Sequence, residues 1–453
     1  MNGASRQSEE GSSRAWPAVG AVAALAAVVG ALGVVGTDAL WLVPLGHEIA
    51  HGHIPSSVPF ATAATSGWHN VPAAAELLFW SLYQALGGIR GLVVAQVVAA
   101  GVGFGALAWG IRRESTSGTT LAVGSVALIG ALPAVAVTGV SLFSLALFPV
   151  LLALLETETR APSRRIWLAV PLLAVWGNLH GAVLAGLGLL GCYLVFERAR
   201  QSWKVALGVL VSGTLVLFLT PALWNTPAYY RGVLGSEPAR AGEGLWRHLG
   251  SGGFDIVLGV AVVVLAVCAS RGGAWRRTRP WEAVALGGLV LGTIDVARNG
   301  TWLLFVLAYP AARGLKFRAL PARLLLGFAV ICGIVALALL IKGPRDPGSL
   351  PIARLAAYDG QPVLAQAVLG QQVALLHGKV WVDNPIDAFR RPDQRLYLDW
   401  AAGRPSGAAA ISHAVYVLVT PGTPAGDAAA IDPRLTLVVA DANAALYKHR
   451  SAK

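Results

Sequence analysis

Residues 17–36 read PAVGAVAALAAVVGALGVVG, an apolar run with no charged side chain. A secretory leader has an apolar core of roughly 7–15 residues, and this run is longer. At about 1.5 Å per residue it reaches across a hydrocarbon layer of about 30 Å, so it reads as a first membrane span. Ten further candidates follow near 89–111, 119–135, 139–155, 166–180, 181–196, 203–220, 254–270, 281–297, 299–315 and 321–342. Residues 72–88 are short and carry Glu76 and Gln84, which suits an interfacial or re-entrant helix. Over the whole chain of 453 residues, 55% are hydrophobic and 13% charged, whereas a soluble domain is roughly 25% charged. That excludes an ordinary soluble enzyme and a disordered chain. The expectation is an all-α polytopic membrane domain over residues 1–342, with about eleven transmembrane helices.

The net charge of +12 would suggest nucleic acid in a soluble protein. Here the basic residues stand in short runs between apolar stretches, and no basic-aromatic nucleic-acid motif occurs. Alternate connections carry 18 Lys and Arg on one side against 4 on the other. Such a bias orients a multi-pass protein with the basic side in the cytoplasm. It puts the N-terminus, with Arg6 and Arg14, on the cytoplasmic side of the plasma membrane. Loops 37–88 and 220–253 and the C-terminal region then lie outside. Cys192, Cys268 and Cys332 sit singly in apolar stretches, as small buried residues do.

Residues 343–453 are richer in charge. Lys379–Asp383, Ala414–Thr420 and Leu435–Ala440 alternate as strands do, and 394–402 and 425–431 suit short helices. The expectation is a small extracytoplasmic α/β domain.

The external loops hold most of the chemistry. Loop 37–88 has His47, His51, His53 and His69 with Asp38 and Glu48 between residues 38 and 69, and no Lys or Arg there. Such a loop binds a divalent cation or activates a hydroxyl. Asp38 follows the first span directly; it is either a general base or a solvated residue helping to cap the next helix. His47-Glu48-Ile49-Ala50-His51 matches the H-E-x-x-H pattern, with two histidines one helical turn apart as zinc ligands and Glu48 as base. No third ligand stands at a recognised spacing, and Gly52 and Pro55 cut that helix short. Trp176-Gly177-Asn178-Leu179-His180-Gly181 places Asn178 and His180 between two apolar runs, where they bond across helices or line a polar cavity. Tyr229, Tyr230 and Trp246 suit an interfacial aromatic belt or a sugar-binding surface. Arg298-Asn299 lies on the otherwise weakly basic side and needs an anionic partner, either Asp295 or a phosphate. Asp383-Asn384-Pro385-Ile386-Asp387 reads as a turn after a strand.

In order along the chain, Asp38 with Trp41, the pattern G-x-x-I-x-x-G-x-I-P from Gly46 to Pro55, Pro59-Phe60 and Trp68 resemble the first external loop of bacterial GT-C-type glycosyltransferase-like proteins. The tract Trp176 to Gly181, Thr220 to Tyr230, Glu243 to Trp246 and Arg298-Asn299 are similar to tracts of the same family. The KVWVDNPIDAF stretch at 379–389 resembles an actinobacterial branch of it. The resemblance implies a GT-C-like fold and inverting sugar transfer from a polyprenyl-phosphate donor to an extracytoplasmic glycan, lipid or protein acceptor. It implies Asp38 as the base and Arg298 as the phosphate contact. His180 or Glu243 would position the substrate, with Asn178, Tyr229, Trp246 and Asn299 in the binding surface. A divalent cation, where used, would fall to His47, Glu48 and His51. Val58 stands where many relatives have an acidic residue, and no second aspartate adjoins Asp38, which weakens a metal-dependent version. Two other readings stay open: a zinc membrane protease on His47, Glu48 and His51, and a non-catalytic transporter or assembly protein.

Overall fold

Every apolar run named above is helical in the computed structural model, which describes residues 16–65, 67–250, 252–343, 350–355 and 360–450. Arg6 and Arg14 lie outside the described residues. In chain order the longer helices are α1 (Trp16–Ala31), α2 (Leu42–Ala50), α3 (Ala73–Ala85), α4 (Ile89–Ile111), α5 (Ser117–Gly130), α6 (Leu142–Arg160), α7 (Ala169–Gly177), α8 (Val183–Tyr193), α9 (Ala199–Leu215), α10 (Thr226–Leu234), α11 (Phe254–Ser270), α12 (Pro280–Asp295), α13 (Gly300–Gly314), α14 (Ala322–Lys342), α15 (Ala367–Leu375), α16 (Arg391–Ala401) and α17 (Pro424–Ile431). Besides the two-residue strands Val34–Val35 and Val137–Thr138, the strands are β1 (Pro362–Ala365), β2 (Lys379–Val380), β3 (Tyr416–Val419), β4 (Leu435–Ala440) and β5 (Ala445–His449).

These elements form two compact units. One is helical and comprises Met1–Val34, Leu92–Leu219 and Gly244–Pro344. The other is mixed and comprises Val35–Gly91, Thr220–Glu243 and Arg345–Lys453.

In the helical unit α13 is buried along its whole length. Its sequence is apolar on every face, as a helix surrounded by other helices requires. Trp302 stacks on Phe148 with ring centroids 5.0 Å apart, and Phe305 meets Phe104 edge-on at 5.3 Å. The outer helices do the opposite: Ile256, Leu291 and Ile341 are about two-thirds or more exposed. Apolar surface on that scale is covered by lipid in a membrane-embedded protein. Among the described residues five helical stretches are long and apolar enough to cross a membrane: Ile89–Ile111, Leu142–Arg160, Val183–Phe218, Phe254–Arg277 and Ala322–Lys342. The third joins two expected spans, 181–196 and 203–220. Ser202 breaks helical geometry between them, at φ −158° and ψ 93°.

The mixed unit departs from the expected division at residue 342. Its sheet has the order β2-β1-β3-β5-β4, with β1 parallel to both β2 and β3, and β5 antiparallel to β3 and β4. The core beneath it includes Trp381, Phe389, Tyr397 and Trp400. Both external loops belong with this sheet. Residues 59–63 add to its β2 edge: Val380 N–H donates to Phe60 O, and the N–H groups of Thr62 and Ala63 donate to Val380 O and Trp381 O. From the second loop, Glu237 N–H donates to Gln394 Oε1 at 2.9 Å, and Arg395 pairs with the Glu237 carboxylate at 3.1 Å. The loops carry backbone groups that need partners, and the sheet edge and α16 supply them. Only 220–243 of the expected 220–253 loop takes part.

Residues 72–88 give α3, which lies against α2. Gly46 makes that approach possible, because a Cβ there would run into the Glu76 carbonyl and the Trp80 side chain. Gly188 on α8 has open space beside it. The Gly46→Ala variant is therefore expected to lose about 1–3 kcal/mol of stability despite the better helix propensity of alanine. Gly188→Ala should be neutral or slightly stabilising when both are measured by thermal unfolding in the same detergent.

Candidate active site

Asp38 sits on a short helical turn, Thr37–Leu40, that packs on α15 in the mixed unit. The connection after β2 brings Asp383 and Asp387 into its electrostatic reach. Burial, with the Asp38 charge in addition, pushes the Asp387 carboxyl up to about 6. Asp387's own backbone and the Trp68 indole, which comes close to it, counter part of that rise. The same causes hold Asp383 well above the usual carboxylate range, although Asn384 N–H donates to its Oδ1 at 2.8 Å. Asp383 Oδ2 is buried without a donor, as a protonated carboxyl tolerates better than a charged one.

Two more groups join them. Tyr229, on α10, is held well above its ordinary value by burial and by the charges of Asp387, Tyr230 and Glu76, so its phenol stays protonated. Glu76, on α3, is fully buried and its carboxyl is pushed up to about 8, with Asn70 Nδ2 donating to its Oε2 at 2.6 Å. Asp38 is thus half-buried within electrostatic reach of Asp383 and Asp387, and Tyr229 is within reach of Asp387 and Glu76. Such a set accepts and relays protons near neutral pH.

The H-E-x-x-H stretch does not gather as a closed metal site. α2 ends at Ala50, so His51 is its C-cap, and His51 Nδ1–H donates to His47 O at 2.8 Å. The His47 and His51 rings are 4.3 Å apart, with Trp80 and His377 edge-on to His47. Among the described residues no group of three His, Cys, Asp or Glu is placed to hold a metal ion. Two imidazoles and Glu48 on one exposed helix end do not fit a four-coordinate zinc centre.

The helical unit holds the second set of expected residues. His180 lies in the turn between α7 and α8. Ser144 Oγ accepts the Trp176 indole N–H at 2.7 Å and is 2.6 Å from His180 Nδ1. The hydroxyl keeps a second lone pair and its own proton, so the imidazole tautomer sets which of Ser144 Oγ and His180 Nδ1 donates. The Arg298 charge reaches His180, and its guanidinium lies over the Trp246 ring at 4.2 Å. That stacking fixes a planar cation with donor edges clear of the ring. Asp295, the alternative partner from sequence, points its carbonyl to His248 Nδ1–H at 2.6 Å.

Three expected binding residues have structural work. Asn178 Nδ2 donates to Ala174 O and Leu219 O, and Asn299 Nδ2 to Gly292 O, each closing a helix end. Glu243 pairs with Arg404 at 2.8 Å. Sequence reading missed Asp387, Glu76 and Ser144. The Asn-Pro beside Asp387 argued for a plain turn, and nothing local distinguishes a turn carboxylate that a distant loop approaches.

The fold is that of GT-C glycosyltransferases. Three solved structures share it: ArnT from Cupriavidus metallidurans bound to undecaprenyl phosphate, the mycobacterial arabinofuranosyltransferase AftD, and the Archaeoglobus fulgidus oligosaccharyltransferase. Identity to ArnT is 14%, with a TM-score of 0.52 over 94% of this chain and 96% of ArnT. AftD gives 16% and 0.51 over 96% of this chain and 41% of its own. The oligosaccharyltransferase gives 12% and 0.50 over 88% and 69%. No family model and no curated protein sequence matches the chain.

Glu76 gives the acid cluster a stability signature. Its folded carboxyl titrates near 8 against 4.5 for the ordinary group. The folded state therefore binds the proton more tightly, and stability falls as pH rises between those two values, reaching its lower plateau above about 8. Glu76→Gln still accepts the Asn70 N–H but does not titrate. Thermal unfolding across that range should show a flatter pH dependence for the variant, which becomes the more stable form above about pH 8.

Proposed function

We propose that this chain is an inverting membrane glycosyltransferase that moves a sugar from a polyprenyl-phosphate donor to an acceptor hydroxyl outside the cytoplasm. The observation that carries the reading is the Asp38 carboxylate within electrostatic reach of Asp383 and Asp387, in a chain of GT-C-like fold. The charge bias of 18 against 4 supports eleven crossings, a cytoplasmic N-terminus and an extracytoplasmic mixed unit.

In the proposed reaction the acceptor oxygen attacks the anomeric carbon from the face opposite the phosphate. The new C–O bond forms as the bond to the phosphate oxygen breaks, and polyprenyl phosphate leaves. Asp38 takes the acceptor proton. Asp387, when ionised, raises the proton affinity of Asp38 by like-charge repulsion. Arg298 neutralises the growing charge on the leaving phosphate with a forked guanidinium edge, and His180 positions the donor. Glycan, lipid and protein acceptors all supply the required hydroxyl. No step runs through a divalent ion, since His47, Glu48 and His51 do not fit one, and no observation favours the protease.

Transfer is measured with purified protein in lipid and polyprenyl-phosphate sugars as donors. Asp38→Asn should lower turnover by roughly 10²–10⁴-fold while donor binding persists. Equal rates in wild type and variant would remove Asp38 from the mechanism. The wild-type pH–rate profile should rise through about 6 as Asp387 ionises, and that inflection should vanish in Asp387→Asn. Arg298→Gln should raise the donor KM and lower turnover together, because the phosphate contact strengthens as the bond breaks.

A further inference from the structure

At the other end of the helical unit's central helices lies a second polar constellation. Arg313, near the C-terminus of α13, is buried and donates to Glu282 Oε2 at 2.8 Å, to Glu156 Oε2 at 3.3 Å and to Glu114. Arg160, at the end of α6, pairs with Glu114 at 2.9 Å. Arg298, in the turn before α13, and Arg313, near its end, are fifteen residues apart, a rise of about 22 Å, so this end is remote from His180 and Arg298.

A cavity of about 590 Å³ opens here, lined by Glu114, Glu156, Thr159, Arg160, Arg276, Arg277, Thr278, Arg279 and Arg313. Its cations come from three separate segments. Five arginines line it against Glu114 and Glu156, with Glu282 paired to Arg313 and Glu197 3.8 Å from Arg279 behind them, which leaves an excess of one cation. Arg313 and Arg160 are locked by the glutamates and act as scaffold. Arg277 spends one N–H on Arg313 O at 3.0 Å. Arg276 makes no hydrogen bond or ion pair among the described residues and is exposed at the rim. Trp275, next to it, is 43% exposed. An exposed Trp at the end of an apolar helix marks the depth of the lipid headgroups.

We infer that this cavity binds the phosphate of an anionic phospholipid headgroup, at the end of the bundle opposite His180 and Arg298. The size admits a whole headgroup, the unpaired Arg276 supplies a forked donor, and the neighbouring indole sets the depth at which phosphodiesters lie. The inference rests on the helical unit alone and does not need the transferase reading.

The test uses the full chain in detergent, with native mass spectrometry counting retained dioleoyl-phosphatidylglycerol, dioleoyl-phosphatidylcholine and inorganic phosphate. Wild type should retain phosphatidylglycerol in preference to phosphatidylcholine. Arg276→Gln should weaken that by about tenfold, the loss of one charge-assisted contact. Thr278→Trp, which fills the cavity and keeps every charge, should weaken it as well. Arg200→Gln, on another basic connection, should not, and unfolding temperatures confirm that each variant is folded. Equal retention of the two lipids, an unchanged Arg276→Gln, or an equal loss in Arg200→Gln would overturn the inference. Inorganic phosphate binding as tightly as phosphatidylglycerol would overturn the lipid source.

Discussion

A peptide group inside hydrocarbon has no water to bond, so it must be satisfied within its own helix. That constraint shapes the rest of this chain. It forces the apolar runs between residues 16 and 342 into helices and drives polar chemistry to their ends. The central helix α13 shows the outcome. Its interior carries Trp302, Leu304, Phe305 and Tyr309, all buried, while Arg298 precedes one end and Arg313 closes the other. Arg313 is itself tolerated only because Glu282, Glu156 and Glu114 surround it. An unpaired guanidinium there would be strongly destabilising, so the arginine and its glutamates stand or fall together.

Burial works differently in the mixed unit. There the sheet and helices α2, α3 and α15 remove carboxyls from water without giving each a cation. Asp383, Asp387 and Glu76 respond by holding their protons more tightly. This has a stability penalty at high pH, and a fold selected for stability alone would place Gln or Leu at Glu76. Retaining two such carboxyls, Asp383 and Asp387, within electrostatic reach of Asp38 fits a function in which a proton changes hands.

Much of the fold was legible because the signal was local. A 20-residue apolar run names a helix wherever it occurs, and α11, expected at 254–270, forms over that same range. Short elements were harder. β1 and β5 were missed, since PVLA and ALYKH are short and ALYKH is half polar. The association of residues 59–63 with the β2 edge was invisible, because it joins segments some 320 positions apart in the chain, as Lys379 Nζ and Pro59 O show. The candidate site divides along the same line. Asp38 and Arg298 stood out by position against an apolar background. Asp387 did not, because its importance comes from a distant loop that folding brings near.

The H-E-x-x-H stretch shows how a motif can be met in sequence and unmet in chemistry. A zinc helix must continue past its second histidine so that both imidazoles stay on one rigid face. Here α2 stops at Ala50, and Gly52 adopts φ 87°, a conformation that turns the chain away. His51 then spends Nδ1–H on the carbonyl of His47, which is the capping duty of a helix end rather than the second-shell support of a ligand. The glycine that spoils the motif belongs to the same short run as Gly46 and Pro55. Gly46 in turn is what lets α2 lie against α3 and bury Glu76. The residues that end the helix and those that seat the acid cluster thus belong to one local design, and the histidine pair is carried along by it.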